Sequence, residues 1–382
     1  MSNIFTYGFS LQGKSHKKTG ICCQDSHRIE NPGKICIAAV ADGVGSAANS
    51  QIGSNIAVNT AVDFCCSHYA RYESDLKSLI TKAYENALDR IFEEAEQKGN
   101  PVESYDTTLS LAIYDGRKTA FGHSGDGAII GLADSGDFVE ITRPQKGSDR
   151  ISVIPLRAGS QFWQIDSCSQ DFAALLLLTD GMLNTLSPYL LKLDKKSCGI
   201  YVPLASYFAD LQGIVKTDGK NLKNKIEKFV TAENDYNSED FYDYLSAIYR
   251  QHLPERQAEE LISIIRANNF PVRLMQNEQD DKTVAALINT GIRVGNKSAG
   301  FYAEPNWMEL SDMWRRQAYP HLYKNNPPQK EEISKEDKSG KITENMPGRT
   351  VGSAEDRIDL HRKRKKSSLK RKRRMKSRLK RR

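Results

Sequence analysis

Three features of the sequence predict an α+β fold: two long helical stretches near the N-terminus, a run of short strands in the middle, and a return to helix before a last strand. Ile4 to Leu11 alternates weakly and reads as an opening strand. Gly13 to Gly20 (GKSHKKTG) reads as a basic loop. Ile35–Ala41 is an apolar run of strand length that ends on Asp42-Gly43. Ser50 is placed to cap a helix carrying Ile52, Ile56, Ala57, Val62 and Cys66 on or near one face. A second helix, from about Ser74 to Gln97, repeats Leu76, Leu79, Ile80, Ala83, Leu88 and Ile91 at helical spacing, and Gly99-Asn100-Pro101 stops it.

From Asp106 the pattern changes. Thr107–Tyr114, Lys118–His123, Ala128–Ala133, Phe138–Thr142, Gln161–Asp166 and Phe172–Thr179 are short and β-rich. The turn dipeptides Asp115-Gly116 and Ser135-Gly136 separate some of them. Residues 188–270 are mostly helical in periodicity, around Tyr207–Val215, Ile226–Val230, Phe241–Tyr249 and Ala258–Ile265. Val284–Ile288 reads as the last core strand, and Trp307–Tyr323 as one amphipathic helix. Residues 324–361, rich in Pro, Lys, Glu and Ser, read as a disordered linker.

Composition narrows the class. Hydrophobic residues are 39% of 382 and charged residues 27%, as in a soluble globular protein. No apolar run approaches the ~20 residues of a membrane helix. MSNIFTYGFS lacks the basic-then-apolar layout of a signal peptide. Seven cysteines, with adjacent pairs at Cys22-Cys23 and Cys65-Cys66, make a poor disulfide framework and suit a reducing cytoplasm. The net charge of +7 is unevenly spread: residues 362–382 hold fifteen Lys or Arg and no acid, so removing them leaves −8 on residues 1–361. An acidic body carries a basic tail.

Four aspartates stand where loop meets apolar strand: Asp25, Asp42, Asp180 and Asp280. Leu178-Thr179-Asp180-Gly181 repeats the arrangement of Val40-Ala41-Asp42-Gly43, an apolar run, an acid, then glycine. Such acids are either turn-formers or ligands for hard cations. A carboxylate set without His or Cys favours Mg²⁺ or Mn²⁺ over Zn²⁺. Two such ions about 3.5–4 Å apart activate a water and clamp a phosphoryl group.

The order Gln24-Asp25, Ala41-Asp42-Gly43, Asp106-Thr107-Thr108-Leu109, Gly122-His123-Ser124-Gly125-Asp126, Thr179-Asp180-Gly181, Asp280-Asp281-Lys282-Thr283 resembles the metal-dependent protein phosphatases, the PPM or type 2C family. No single piece is specific; six in the family's order are. Ser15-His16 with Cys23-Gln24-Asp25 resembles a bacterial branch of it. The resemblance implies a four-layer α-β-β-α sandwich, two antiparallel sheets flanked by helices, over residues 1–290 with a helical insertion or flap at 188–270. Residues 291–323 would then be a helical extension.

Carried over residue by residue, the resemblance implies that Asp42 bridges two metals and that the Gly43 carbonyl binds one. Asp25 sits beside the pair, Asp180 and Asp280 hold the metal opposite Gly43, and Asp126 joins Asp180 at a weaker third site. Thr107-Thr108 and Gly125 look like core and turn positions. The implied activity is hydrolysis of phosphoserine and phosphothreonine by a two-metal-activated water. A serine/threonine kinase is the implied counterpart.

Four positions depart from the family pattern. The phosphate-gripping arginine expected five residues before Asp25 is Gly20, so His16, Lys17 or Lys18 is the expected replacement. Val44 stands where some members place a proton-donating histidine, which predicts a smaller handicap on aryl phosphates than on phosphoserine. Asn184 stands for a frequent aspartate, and Asp281 for a frequent asparagine beside the phosphate. His123 reads as structural.

Two other functions fit parts of the sequence. A catalytically weak or dead relative would bind phosphoproteins as a regulatory module. The basic tail, without aromatic residues, would bind the backbone of nucleic acid or an acidic partner in a salt-dependent way.

Overall fold

The structure is a computed structural model that describes residues 3–149, 152–193, 199–209, 224–226, 228–230, 239–268, 278–295 and 297–322. All of these lie in one compact unit, Met1–Asn325. The predicted linker and basic tail fall outside the described residues, as do residues 210–215 of the predicted helical segment.

Among the described residues, ten strands form two antiparallel five-stranded sheets. The first contains β1 (Ile4–Leu11), β10 (Lys282–Asn289), β9 (Phe172–Leu178), β6 (Ala128–Ala133) and β7 (Phe138–Glu140), in that order across the sheet. The second runs β2 (Ser26–Glu30), β3 (Cys36–Ala41), β4 (Leu109–Tyr114), β5 (Thr119–Ser124) and β8 (Gln164–Cys168). With helices on the outer faces, this is the predicted four-layer sandwich.

Strand alternation builds three cores. In β3, Ile37, Ala39 and Ala41 face the helices α2 (Ser50–Tyr72) and α3 (Leu76–Lys98), while Cys36, Ala38 and Val40 face the other sheet. In β9, Leu175 and Leu177 point between the sheets and Leu176 and Leu178 point outward. That outer face is covered by helices from the C-terminal half, among them Val202–Ala209, Glu239–His252, Glu255–Asn268 and Trp307–Ala318. Both faces of the central strands are therefore buried, which explains apolar runs where a half-exposed strand would alternate.

Three sequence expectations are corrected. The basic loop is a short helix, α1 (Lys14–Thr19), closed by Gly20 at φ +71°, a left-handed cap that favours glycine. Strand β2 is absent from the sequence reading because its SHRIE sequence is mostly polar. It sits half-buried on the sheet edge and is defined by pairing with β3. On α2 the buried stripe is Gly53, Ser54, Ala57, Val58, Ala61, Val62 and Cys65, while Ile52 is exposed. Small residues let this helix approach its neighbours closely, so size outranks hydrophobicity in setting the face.

Candidate metal centre

One end of the sandwich gathers the acids. Beyond β3, the Asp42-Gly43 turn is strapped on two sides. Thr108 Oγ1 accepts from the Asp42 amide at 2.8 Å, and the Asp42 carbonyl accepts from the Thr108 amide at 2.8 Å and from Thr107 Oγ1 at 2.9 Å. Gly43 donates its amide to the Gln24 carbonyl, and Val44 donates to that of Asp106. Thr107 and Thr108 are thus the clamp that fixes the acid.

From the other sheet, Thr179 directly follows β9 and links two of the acid-bearing segments. Its hydroxyl donates to Asp25 Oδ2 at 2.8 Å and accepts from the Thr283 amide at 3.1 Å. Asp180 opens the helix that follows (Asp180–Leu186). Gly181 is tightly constrained, since a Cβ there would lie 2.0 Å from the Asp281 carbonyl oxygen. Gly181→Ala must push β10 and this helix apart, at a cost of about 2–3 kcal/mol. The expected drop in Tm is about 5 °C or more, read by thermal unfolding.

Donor oxygens of Asp42, Asp126 and Asp180 all lie within 4.8 Å of one another. With Asp280, Gly43 and Val44 they line a cavity of about 500 Å³. Asp25 is buried behind that wall, at 7% exposure. Burial, reinforced by Asp281 and Asp180, pushes Asp25 up to about 8 against the lowering hydrogen bonds from Thr179 and Thr283. Burial and then the charges of Asp126 and Asp280 push Asp180 up to about 7. Asp42 is raised well above the usual carboxylate range by burial and then by Asp25, Asp180, Asp280 and Asp126, and Asp280 is raised chiefly by burial.

The donor set fits divalent cations. Among the described residues, Asp25 Oδ1 and Asp180 Oδ1 are buried with no hydrogen-bond partner. Buried carboxylate oxygens without donors are costly unless a proton or cation meets them. Oxygen ligands of this density suit Mg²⁺ or Mn²⁺.

Of the predicted phosphate-binding residues, His16 lines the cavity, whereas Lys17 and Lys18 are exposed and do not. Asp281 does not crowd the cavity: it is 2% exposed and accepts from the amides of Gly13 and Gln24 at 2.6 Å each. His16 Nδ1 lies 2.9 Å from Asp281 Oδ1, an ion-pair contact without hydrogen-bond alignment. Asn184 is exposed one turn beyond Asp180.

His123 is fully buried, and burial lowers it to about 4, so the ring is neutral. Its Nε2–H donates to the Gly125 carbonyl at 3.0 Å, which leaves Nδ1 to accept from Ser110 Oγ at 2.8 Å. It is structural.

The sequence reading missed a second wall. The connection between β7 and β8 lays Ser152, Val153 and Pro155 on the cavity. Arg157 anchors it by a two-pronged pair with Asp106, Nε to Oδ1 at 2.8 Å and Nη2 to Oδ2 at 2.9 Å. Lys146 reaches in to place Nζ 3.2 Å from Asp126 Oδ2. The available signal was length, since connections beyond about 12–15 residues are often functional. Because Lys146 is 45% exposed, the pair is worth no more than about 1 kcal/mol. Lys146→Ala therefore lowers the Mn²⁺ concentration for half-occupancy about two- to fivefold in a calorimetric titration.

The model of the family described as protein phosphatase 2C matches residues 12–231, which contain every acid of the cluster except Asp280. This chain belongs to the protein phosphatase 2C family. The family member's structure is similar to PppA of Pseudomonas aeruginosa, described as a key regulatory component of T6SS, at 15% identity and TM-score 0.44 over 75% of this chain and 97% of that one. It is similar to a bacterial serine phosphatase at 12% identity and TM-score 0.43, covering 77% and 99%. A third similar structure is the catalytic domain of the serine/threonine phosphatase PstP in complex with two manganese ions, at 14% identity and TM-score 0.40 over 75% and 97%. No curated protein sequence matches the chain.

Proposed function

We propose that this family member hydrolyses phosphoserine and phosphothreonine in proteins, with two Mg²⁺ or Mn²⁺ ions as cofactors. The observation that carries the reading is the convergence of Asp42, Asp126 and Asp180 within 4.8 Å, with buried, partnerless oxygens on Asp180 and on Asp25 behind it. Asp42, Asp180, Asp280 and the Gly43 carbonyl would hold the two ions, Asp25 would support them from behind, and Asp126 would serve a third. When bound, such ions supply an activated water and neutralise charge on the phosphoryl oxygens.

The chain's own residues do the rest. Thr107, Thr108 and Gln24 fix the Asp42 turn, so the ligand is preorganised rather than gathered on binding. Lys146 brings positive charge to a cavity otherwise walled by acids, where a dianionic phosphate must enter. Ser152, Val153 and Pro155 cover one side and limit water. The test is phosphate release from a phosphothreonine peptide with Mn²⁺. Release that persists undiminished in excess chelator would refute the metal-dependent reading.

A further inference from the structure

We propose that His16, packed beside Asp281, is the acid that protonates the seryl or threonyl oxygen as it leaves phosphorus. This rests on the phosphatase reading above and assigns the leaving-group step within it. Helix α1 sets His16 on the cavity wall that also carries Asp42, Asp180 and Asp280. Its Nδ1 lies 2.9 Å from Asp281 Oδ1, in ion-pair range but outside hydrogen-bond geometry.

Asp281 is itself fixed, 2% exposed and bonded to the amides of Gly13, which precedes α1, and of Gln24 in the segment that follows it. The buried Asp281 carboxylate packs against the Nδ1 edge of the ring without a hydrogen bond to it. Nε2 is left as the nitrogen available to substrate, and among the described residues no hydrogen bond engages it. Val44, on the same cavity, has no proton to give.

In the step itself, the oxygen of water bonds to phosphorus as the ester P–O bond breaks. The electron pair of that bond goes to the seryl oxygen, which takes the Nε2 proton. One proton of the attacking water returns to His16 and the other stays on the released phosphate. The net reaction is ester plus water giving alcohol plus phosphate. Asp281 touches no reacting atom; it is a positioning residue.

The two roles open to His16, acid and phosphate grip, separate by leaving group. An aryl oxygen leaves with little help, whereas a seryl oxygen needs its proton. We compare wild type, H16A and D281N on a phosphoserine peptide and on p-nitrophenyl phosphate with Mn²⁺. H16A is expected to lose about 10²-fold or more in kcat on the peptide and less than about fivefold on the aryl ester, with KM within about twofold on both. D281N is expected to show the same split at about tenfold, and added imidazole to restore part of the peptide activity of H16A.

Equal losses on both substrates, or a change confined to KM, overturn the proposal while leaving the phosphatase reading intact. A wild type that turns over neither substrate overturns that reading, and this one with it. Unchanged thermal unfolding of H16A shows that a loss is chemical rather than structural.

Discussion

Asp42→Asn is expected to lower Mn²⁺-dependent phosphate release about 10³-fold or more. Loss of an outer partner of a metal ligand costs about 10–100-fold, and Asp42 is a ligand candidate in its own right, at the centre of the cluster. The substitution keeps shape and removes charge. Asp42 is raised well above the usual carboxylate range by burial and by four neighbouring acids, so the metal-free protein is strained by its ionisation. Asn relieves that strain. The variant should therefore melt no lower than wild type in chelator, yet gain much less from Mn²⁺. A variant that keeps wild-type activity, or that loses activity by unfolding, would contradict the assignment.

Metal-free protein is expected to lose stability as pH rises. Asp25 is pushed to about 8 and Asp180 to about 7, whereas in the unfolded chain both titrate near the ordinary 3.8. Between about pH 4 and 8 the folded state holds protons that the unfolded state has released, so stability falls with pH across that window. The contribution is full below about pH 4 and lost by about pH 8. Cations replace those protons. At a hundredfold excess over its Kd, Mn²⁺ adds about 2.7 kcal/mol, or about 5–10 °C in Tm for a domain of this size. The gain should be larger at pH 8 than at pH 5, where protons compete. Differential scanning calorimetry in chelator and in Mn²⁺ checks both slopes; a metal-free Tm that is flat or rising over this range would exclude the protonated cluster.

The two predictions share a cause that the sequence only half displays. Asp42 and Asp180 are legible as acids ending buried strands, and their repeated setting within the family's motif order is what separates ligands from turn-formers. Asp126 is legible only by resemblance, yet it is a member of the tight group, brought there by the turn between β5 and β6. Asp281 shows the limit most clearly. Its place in sequence, next to Asp280, puts its charge near the substrate; its hydrogen bonds turn that charge inward, where it ties α1 to the strand.

Lys146 and Arg157 were illegible for a different reason. They lie on a connection without periodicity, and nothing local marks a lysine whose partner is twenty residues away across a turn. The edge strand β2 escaped because neither face is fully buried, so its sequence carries no strong alternation.

Order along the chain was enough to establish the α+β class, the sandwich through its family resemblance, the run of strand-end acids and the unusual residues at positions 20, 44 and 281. These follow from local chemistry, since strand period, turn glycine and acid type are written residue by residue. Tertiary structure decided which acids meet, which way Asp281 points, and which basic residues reach the cavity. His16 does so and Lys17 and Lys18 do not, because a six-residue helix turns one face of the basic stretch inward and leaves the rest in water. Those outcomes depend on the packing of two sheets whose strands are distant in sequence, and no local pattern encodes a contact between residues that far apart.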